Sequence, residues 1–217
     1  MALTRQTLIE TALRLLDDVG LDGLTVRRLA GELGVQSPAL YWHIRTKQEL
    51  LDGMADAIVV AAGMGPPREG EGWRDWLGRR ARAYRGALLA HRDGARVITM
   101  AGSLGPGTIR QFDGELTALV ACGFAPVLAL RTLASCTSYV NGFVLREQAE
   151  REAVTSVAEV AGLLEGGMES TLLRAIREGG GTMGEEAFEH GLRLIIDGTA
   201  VALGEEGQAG GGRRVDR

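Results

Sequence analysis

The chain has 217 residues, a formal charge of −4 and two cysteines, a length that buries a substantial core and excludes a peptide or a disulfide-stapled scaffold. Cys122 and Cys136 both fall inside apolar helical patterns and read as two buried thiols in a reducing, cytoplasmic setting. No basic segment precedes an apolar core at the N-terminus and no apolar run approaches the ~20 residues of a membrane span, so a soluble protein with no membrane partner is expected.

Leu8, Ala12, Leu15, Leu16 and Val19 recur at helical spacing and give a first helix one apolar stripe, ended by Gly20. After a turn at Asp22 and Gly23, Thr25 can cap a second helix whose inward face is Val26, Leu29, Ala30 and Leu33. Gly34 breaks the chain. Ser37 then reads as the cap, and Pro38 as the first position, of a helix seven or eight residues long that presents Tyr41, Trp42 and His43. Such a helix is too short to fold alone. With its predecessor it makes helix, four-residue turn, helix, the geometry of a unit that enters the major groove of DNA. Thr46 and Glu49 form a capping box for a fourth helix that carries Leu50, Leu51, Met54, Ala55 and Ile58 inward.

An acidic total speaks against nucleic acid, but position matters more than the sum. From Leu24 to Gln48, Arg27, Arg28, Arg45 and Lys47 stand against Glu32 alone, a local charge of 4 − 1 = +3. Two copies of the chain would double that patch on one surface.

Gly63 to Gly72, with Pro66 and Pro67, reads as a flexible connection. A helix follows from about Trp73 to Leu89, then a turn at His91-Arg-Asp-Gly and a short helix over Ala95 to Ala101. Gly102-Ser-Leu-Gly-Pro-Gly breaks the chain again; it lacks the lysine and the preceding strand of a phosphate loop. Further helices are expected over Thr108 to Cys122, Pro126 to Arg151, Ala158 to Glu178 with a break, and Glu185 to Gly204. The helix from Pro126 is apolar on several sides through Leu128, Leu130, Leu133, Val140, Phe143, Val144 and Leu145, and the last helix carries Phe188, Leu192, Ile195, Ile196 and Leu203. Small residues among them (Ala134, Ser135, Ser138, Gly142, Gly198, Ala202) allow close approach, so these helices are candidates for a two-fold four-helix interface; the alternative is burial within one chain.

The stretch from Leu8 to about Ala57 resembles the N-terminal domain of the tetracycline-repressor (TetR) family, in Gly23-Leu-Thr-Val-Arg-Arg-Leu-Ala, Leu33-Gly-Val, and Leu40-Tyr-Trp-His with Lys47 and Leu50-Leu. Ala87-Leu-Leu with His91-Arg-Asp-Gly-Ala, Gly123-Phe and Leu194-Ile-Ile extend a weaker resemblance, to the tetracycline-binding members, as far as Gly204. The fold class expected is all-α. Residues 1–46 form a helix-turn-helix DNA-binding domain of three helices, 47–62 a connecting helix, 63–204 a helical ligand-binding and dimerisation domain, and 205–217 a flexible tail.

The resemblance implies DNA contacts residue by residue. Arg27 matches a position that reads a guanine edge, and Gln36, Ser37, Pro38 and Ala39 occupy the start of the recognition helix, where Gln36 suits adenine and Pro38 or Ala39 a thymine methyl. Thr25, Tyr41, Trp42, His43 and Lys47 match phosphate or groove-wall positions, and Arg28 joins them as a cation of the same surface. Ala39 stands where tetracycline-binding members have a hydroxyl residue and Ser37 where they have a longer amide, which implies a different operator. Packing of the small domain is the alternative role for Tyr41. His43 has no second ligand at helical spacing, so no metal is expected there.

The drug site departs further. Ile98 falls at the family's metal-binding histidine, Arg146 at a glutamate that helps hold the hydrated metal, and Arg80 at a drug-contacting amide. An isoleucine cannot coordinate magnesium and a cation at 146 would repel it, so neither metal nor cofactor is expected. Arg80, Tyr84, Ile98, Met100, Phe112, Leu116, Leu130, Leu133, Thr137 and Ser138 are the candidate pocket residues, an enclosure suited to a mostly apolar organic effector. The resemblance thus implies a homodimeric, ligand-responsive repressor on a palindromic operator in double-stranded DNA. The alternatives are an activator, a regulator without a small ligand, and a helical carrier or enzyme. The last lacks support: the three histidines are dispersed and no nucleophile-elbow or zinc-protease motif occurs.

Overall fold

The computed structural model describes residues 3–152, 171, 174–175, 178 and 182–211, all helix, turn or loop with no strand among them. Helix α1, Arg5–Gly23, is capped by Thr4, whose hydroxyl accepts the Thr7 amide at 3.1 Å. Its stripe of Leu8, Ala12, Leu15 and Leu16 is buried as the spacing predicts. At Gly20 the backbone turns to φ 70°, ψ 173°, a conformation that glycine adopts without steric cost, and the regular helix stops there.

Helix α2, Val26–Glu32, is capped by the Thr25 hydroxyl on the Arg28 amide at 3.2 Å. Leu29 and Ala30 are buried, whereas Val26 and Leu33 are only half-buried. The recognition helix α3, Ser37–Leu40, is shorter than its sequence suggests, and Ser37 lies inside it rather than capping it. Gln36 is the cap residue and makes no side-chain bond. The amides of His43 and Ile44 both donate to the Leu40 carbonyl at 3.0 Å, which closes the chain into a turn after one helical turn. Helix α4, Lys47–Ala61, buries Leu50, Leu51, Met54, Ala55 and Ile58. Thr46 caps it through the Glu49 amide at 3.0 Å, but the Glu49 carboxylate returns to the Arg45 amide at 2.9 Å, so the capping box is displaced by one residue.

The body consists of α5 Trp73–Leu89, α6 Gly94–Met100, α7 Pro106–Ala121, α8 Pro126–Glu152 and α9 Glu185–Gly211. Helix α5 is central: Trp76, Leu77, Ala81, Tyr84 and Leu88 are buried in one core with Leu133, Cys136, Val140 and Val144 of α8 and Phe188 and Leu192 of α9. Each large side chain in that core contributes roughly 1.5–3 kcal/mol of burial. Tyr139, Phe143 and Phe188 cluster with ring centroids 5.3–5.8 Å apart, and the Arg85 guanidinium lies 4.7 Å over Phe188. A Cβ at Gly191 would sit 2.4 Å from the Tyr139 hydroxyl, so glycine lets α9 approach α8.

Three expectations change. The Gly63–Gly72 connection is pinned: the buried Trp76 indole donates to Gly65 O at 2.6 Å, and Glu71 accepts both Arg79 (2.7 and 2.8 Å) and the Arg68 amide (2.9 Å). A buried indole N–H needs an acceptor, and this loop supplies it. Cys122 is exposed at the end of α7, and only Cys136 is a buried thiol, its pKa pushed up to about 11 by desolvation. Helix α9 continues to Gly211, past the stop expected at Gly204, although three of the seven added residues are glycine. The helix expected over 158–178 lies largely outside the described residues, as do residues 212–217.

Candidate DNA-reading head and ligand cavity

None of the candidate DNA contacts is buried. Thr25, Arg27, Arg28, Gln36, Pro38, Tyr41, Trp42 and Lys47 are exposed, and Ser37, Ala39 and His43 are half-buried. Trp42 is 90% exposed while Leu40 and Ile44 are 3% and 6%, so the indole contributes nothing to the core and its two aliphatic neighbours hold the helix down. Tyr41 does both. It is half-exposed, yet it lines a shallow crevice with Leu8, Val26, Leu29 and Leu50.

Two junctions bind this head to the body. At the first, Asp93 takes a left-handed conformation (φ 59°) and its carboxylate accepts the Leu21 amide at 2.7 Å, just beyond the break at Gly20. Asp17 accepts from His91 Nδ1 at 3.1 Å and the Arg92 amide at 3.0 Å, and Arg96 bridges Asp22 at 3.0 Å and Asp93 at 3.1 Å. The Arg96 guanidinium holds the Asp22 carboxyl below its usual range. Gly94 is obligatory here, because a Cβ would lie 2.3 Å from Leu88 O. The turn at His91-Arg-Asp-Gly is therefore a docking element.

At the second junction, α4 holds the loop between α6 and α7. Asp52 accepts from the Gly102 amide at 2.9 Å and the Ser103 hydroxyl at 2.7 Å, and Gln48 donates to Met100 O at 2.9 Å. Hydrogen bonds from Gln48, Ser103 and Gly102 keep the Asp52 carboxyl low. Four residues on, Asp56 accepts from the Gly105 amide at 3.0 Å and from the Thr108 hydroxyl. The glycine-rich break is thus a strap fastened to the connecting helix.

Behind the strap lies a cavity of about 350 Å³. Val59 walls it from α4 and Met64 from the connection that follows, Leu104, Thr108, Ile109, Gln111, Phe112 and Glu115 from the strap and α7, Arg80 and Tyr84 from α5, Ile98 from α6, and Ala134, Thr137, Ser138 and Asn141 from α8. One ion pair is buried in the wall. Arg80 Nε lies 2.8 Å from Glu115 Oε2, with the two side chains 4% and 1% exposed, and Arg80 also reaches the Thr137 hydroxyl at 3.4 Å. The Tyr84 hydroxyl donates to Asn141 Oδ1 at 2.8 Å, and burial pushes its pKa up to about 12.

The family profile described as "Bacterial regulatory proteins, tetR family" matches residues 8–54, and "Tetracyclin repressor-like, C-terminal domain" matches residues 66–203. The chain belongs to the TetR family.

Among its TetR relatives, the tetracycline repressor protein class A from transposon 1721 of Escherichia coli is 42% identical over 197 residues, 89% of each chain. The solved class A repressor in complex with 5a,6-anhydrotetracycline and magnesium is 38% identical, with a TM-score of 0.68 over 91% of this chain and 98% of that one. The Streptomyces coelicolor TetR family protein ActR, in complex with (S)-DNPA, is 28% identical, with a TM-score of 0.79 over 93% and 100%. The chain is accordingly a TetR-type transcriptional regulator, and these two solved relatives are in complex with small molecules.

Of the expected pocket residues, Arg80, Tyr84, Ile98, Phe112, Thr137 and Ser138 line the cavity, and Met100, Leu116, Leu130 and Leu133 do not. On α8 the wall runs through Ala134, Thr137, Ser138 and Asn141 at helical spacing; Leu130 lies one turn before it and is exposed, and Leu133 is rotated by one residue into the core. Met100, two residues past Ile98, is on the far side of α6 and exposed, and Leu116 packs against the core. The sequence reading missed Glu115. Its one signal is an acid three residues after Phe112 on the same helix.

Proposed function

We propose that the chain is a ligand-responsive transcriptional repressor that works in the cytoplasm as a homodimer on a palindromic double-stranded DNA operator. The carrying observation is that cavity and reading head share parts. Val59 belongs to α4, and Leu104 and Thr108 to the strap that Asp52 and Asp56 fasten to α4. A ligand that reshapes the strap tilts α4 and with it α3. The repressive sign is supported by relatives named as repressors.

Dimerisation is supported by two unpartnered stripes. Val127, Leu130, Ala134, Ser135, Ser138 and Gly142 on α8 and Leu194, Gly198 and Val201 on α9 are exposed in the single chain. Pairing them across a two-fold axis gives a four-helix interface. It places two recognition helices about 34 Å apart on successive major grooves, where Arg27 and Gln36 through Ala39 read bases and Tyr41, Trp42, His43, Arg28 and Lys47 grip phosphates.

The effector is mostly apolar and binds without the tetracycline–magnesium mode. What supports this is Ile98, which lines the cavity at the family's metal-binding position and offers no lone pair.

Selection of bound sequences from a random DNA pool tests the DNA half, with a palindrome as the expected result. Calorimetry tests the coupling, because a ligand that weakens operator binding about 5- to 150-fold must be weakened by the operator equally. Identical ligand affinity for free and operator-bound protein would sink the mechanism.

A further inference from the structure

We propose that the effector is a neutral, largely apolar molecule bearing a hydroxyl group that donates a hydrogen bond to Glu115 Oε1. This deepens the ligand-responsive reading and rests on it. The observation is an orphaned acceptor in the cavity wall: Glu115 Oε2 is held by Arg80 at 2.8 Å, while Oε1 is shielded from solvent and accepts no hydrogen bond from the described residues. A buried carboxylate oxygen left unpaired costs its full desolvation, and each such atom calls for an explanation.

Two of its neighbours are engaged elsewhere. Tyr84 donates its hydroxyl hydrogen bond to Asn141, and Arg80 donates from Nε to Oε2 and reaches Thr137 with a second nitrogen. Glu115 lines the cavity, and the carboxyl torsion of a glutamate is soft and roughly two-fold, so turning the carboxyl can present Oε1 to a guest. Desolvation pushes the Glu115 carboxyl up against the pull of Arg80.

The ion pair also sets the charge of the guest. A carboxylate would meet Glu115 while the Arg80 charge is already neutralised, and an ammonium would meet Arg80 within the same low-dielectric wall. A neutral hydroxyl satisfies Oε1 and adds no charge. The rest of the guest faces Ile98, Leu104, Ile109 and Phe112.

The test is calorimetry on the full-length chain with four probes of one skeleton at neutral pH: 2-naphthol, 2-methoxynaphthalene, 2-naphthylmethylammonium and 2-naphthoate. 2-Naphthol is expected to bind about 10-fold or more tightly than the methoxy ether, which has the same shape and no donor, and more tightly than either ion. In Glu115→Gln the carbonyl still accepts from Arg80 while an N–H replaces Oε1, so the preference for the naphthol disappears or inverts toward the ether. A merely structural Glu115 would shift all four probes together. Equal affinity of naphthol and ether for the unmodified chain, tighter binding of either ion, an unchanged preference in Glu115→Gln, or no naphthol binding at millimolar concentration would each overturn the proposal. The probe series on the unmodified chain decides the matter even where the variant fails to fold. Naphthol binding with the expected preference but without release of selected operator DNA upholds this assignment and refutes the ligand-responsive reading instead.

Discussion

Lys47→Ala separates what the chain needs to fold from what it needs to hold DNA. Lys47 is exposed and is the first residue of α4. A helix N-terminus carries about half a unit of positive charge, so an ammonium there costs roughly 0.3–1 kcal/mol, and alanine is the better helix former. The substitution therefore leaves stability unchanged or raises Tm by up to about 2–4 °C. DNA binding moves the other way. If each protomer loses one phosphate contact, the slope of log K against log salt becomes shallower by about 0.9 per protomer, or about 1.8 for a dimer. Across a fourfold change in salt that amounts to about a 12-fold change in the ratio of native to variant affinity. Fluorescence anisotropy on the selected operator and on mismatched duplexes, at several salt concentrations, measures the slope; calorimetric melting measures the fold. An unchanged slope, or a lowered Tm, would refute the assignment of Lys47 to the phosphate surface.

Other outcomes follow from the same geometry. Arg27→Ala is expected to cost roughly 1–3 kcal/mol on the preferred operator and relax one base-pair preference; equal losses on every operator variant would remove Arg27 from the base-reading set. Gly142→Arg puts a large cation on the exposed stripe of α8, where a Cβ meets nothing within 4 Å in the single chain, so the fold survives and sedimentation should report monomers; an intact dimer would move the interface elsewhere. Trp76→Phe removes the 2.6 Å bond to Gly65 O and should lower unfolding stability by about 1–2 kcal/mol in urea titrations, with no change implying that the loop is not held there. Arg79 and the Arg68 amide hold the Glu71 carboxyl at about 2, below its ordinary 4.5. A depressed folded value means stability present above the unfolded pKa and lost as pH falls from 4.5 toward 2. The difference in urea midpoint between the native chain and Glu71→Gln should therefore close over that interval; a constant gap would contradict it.

The helices were legible because their signals are local. Thr4, Thr25 and Thr46 cap where a hydroxyl precedes an apolar-periodic run, and α5 begins and ends at Trp73 and Leu89 as expected. The recognition helix was overestimated because Pro38 announces a start, whereas its end depends on two amides converging on Leu40. The cavity was half legible. Arg80, Tyr84 and Ile98 were reached through family positions, but telling Leu133 from Ala134 needs the rotation of α8 about its own axis, which one residue decides. Glu115 was hidden because a lone carboxylate on a helix reads as solvated until a partner 35 residues away is seen to face it.

The contradiction between an acidic chain and a DNA-binding surface resolves in how the head spends its carboxylates. Asp17 and Asp22 accept from His91, Arg92 and Arg96, and Asp52 and Asp56 accept from the strap at Gly102, Ser103, Gly105 and Thr108. Those acids all lie on the side of the head that faces the body. Glu49 is turned back onto the Arg45 amide. What remains outward around α2 and α3 is Arg27, Arg28, Arg45 and Lys47, all exposed, with Glu32 as their acidic exception. The sorting does two things at once. It fastens the head to the body through the turn at His91 to Gly94 and the strap, and it leaves a mostly basic surface around α2 and α3, which orients approach to a polyanion. Net charge could not have revealed this, because every carboxylate that docks the head subtracts from the total without subtracting from the surface that meets DNA.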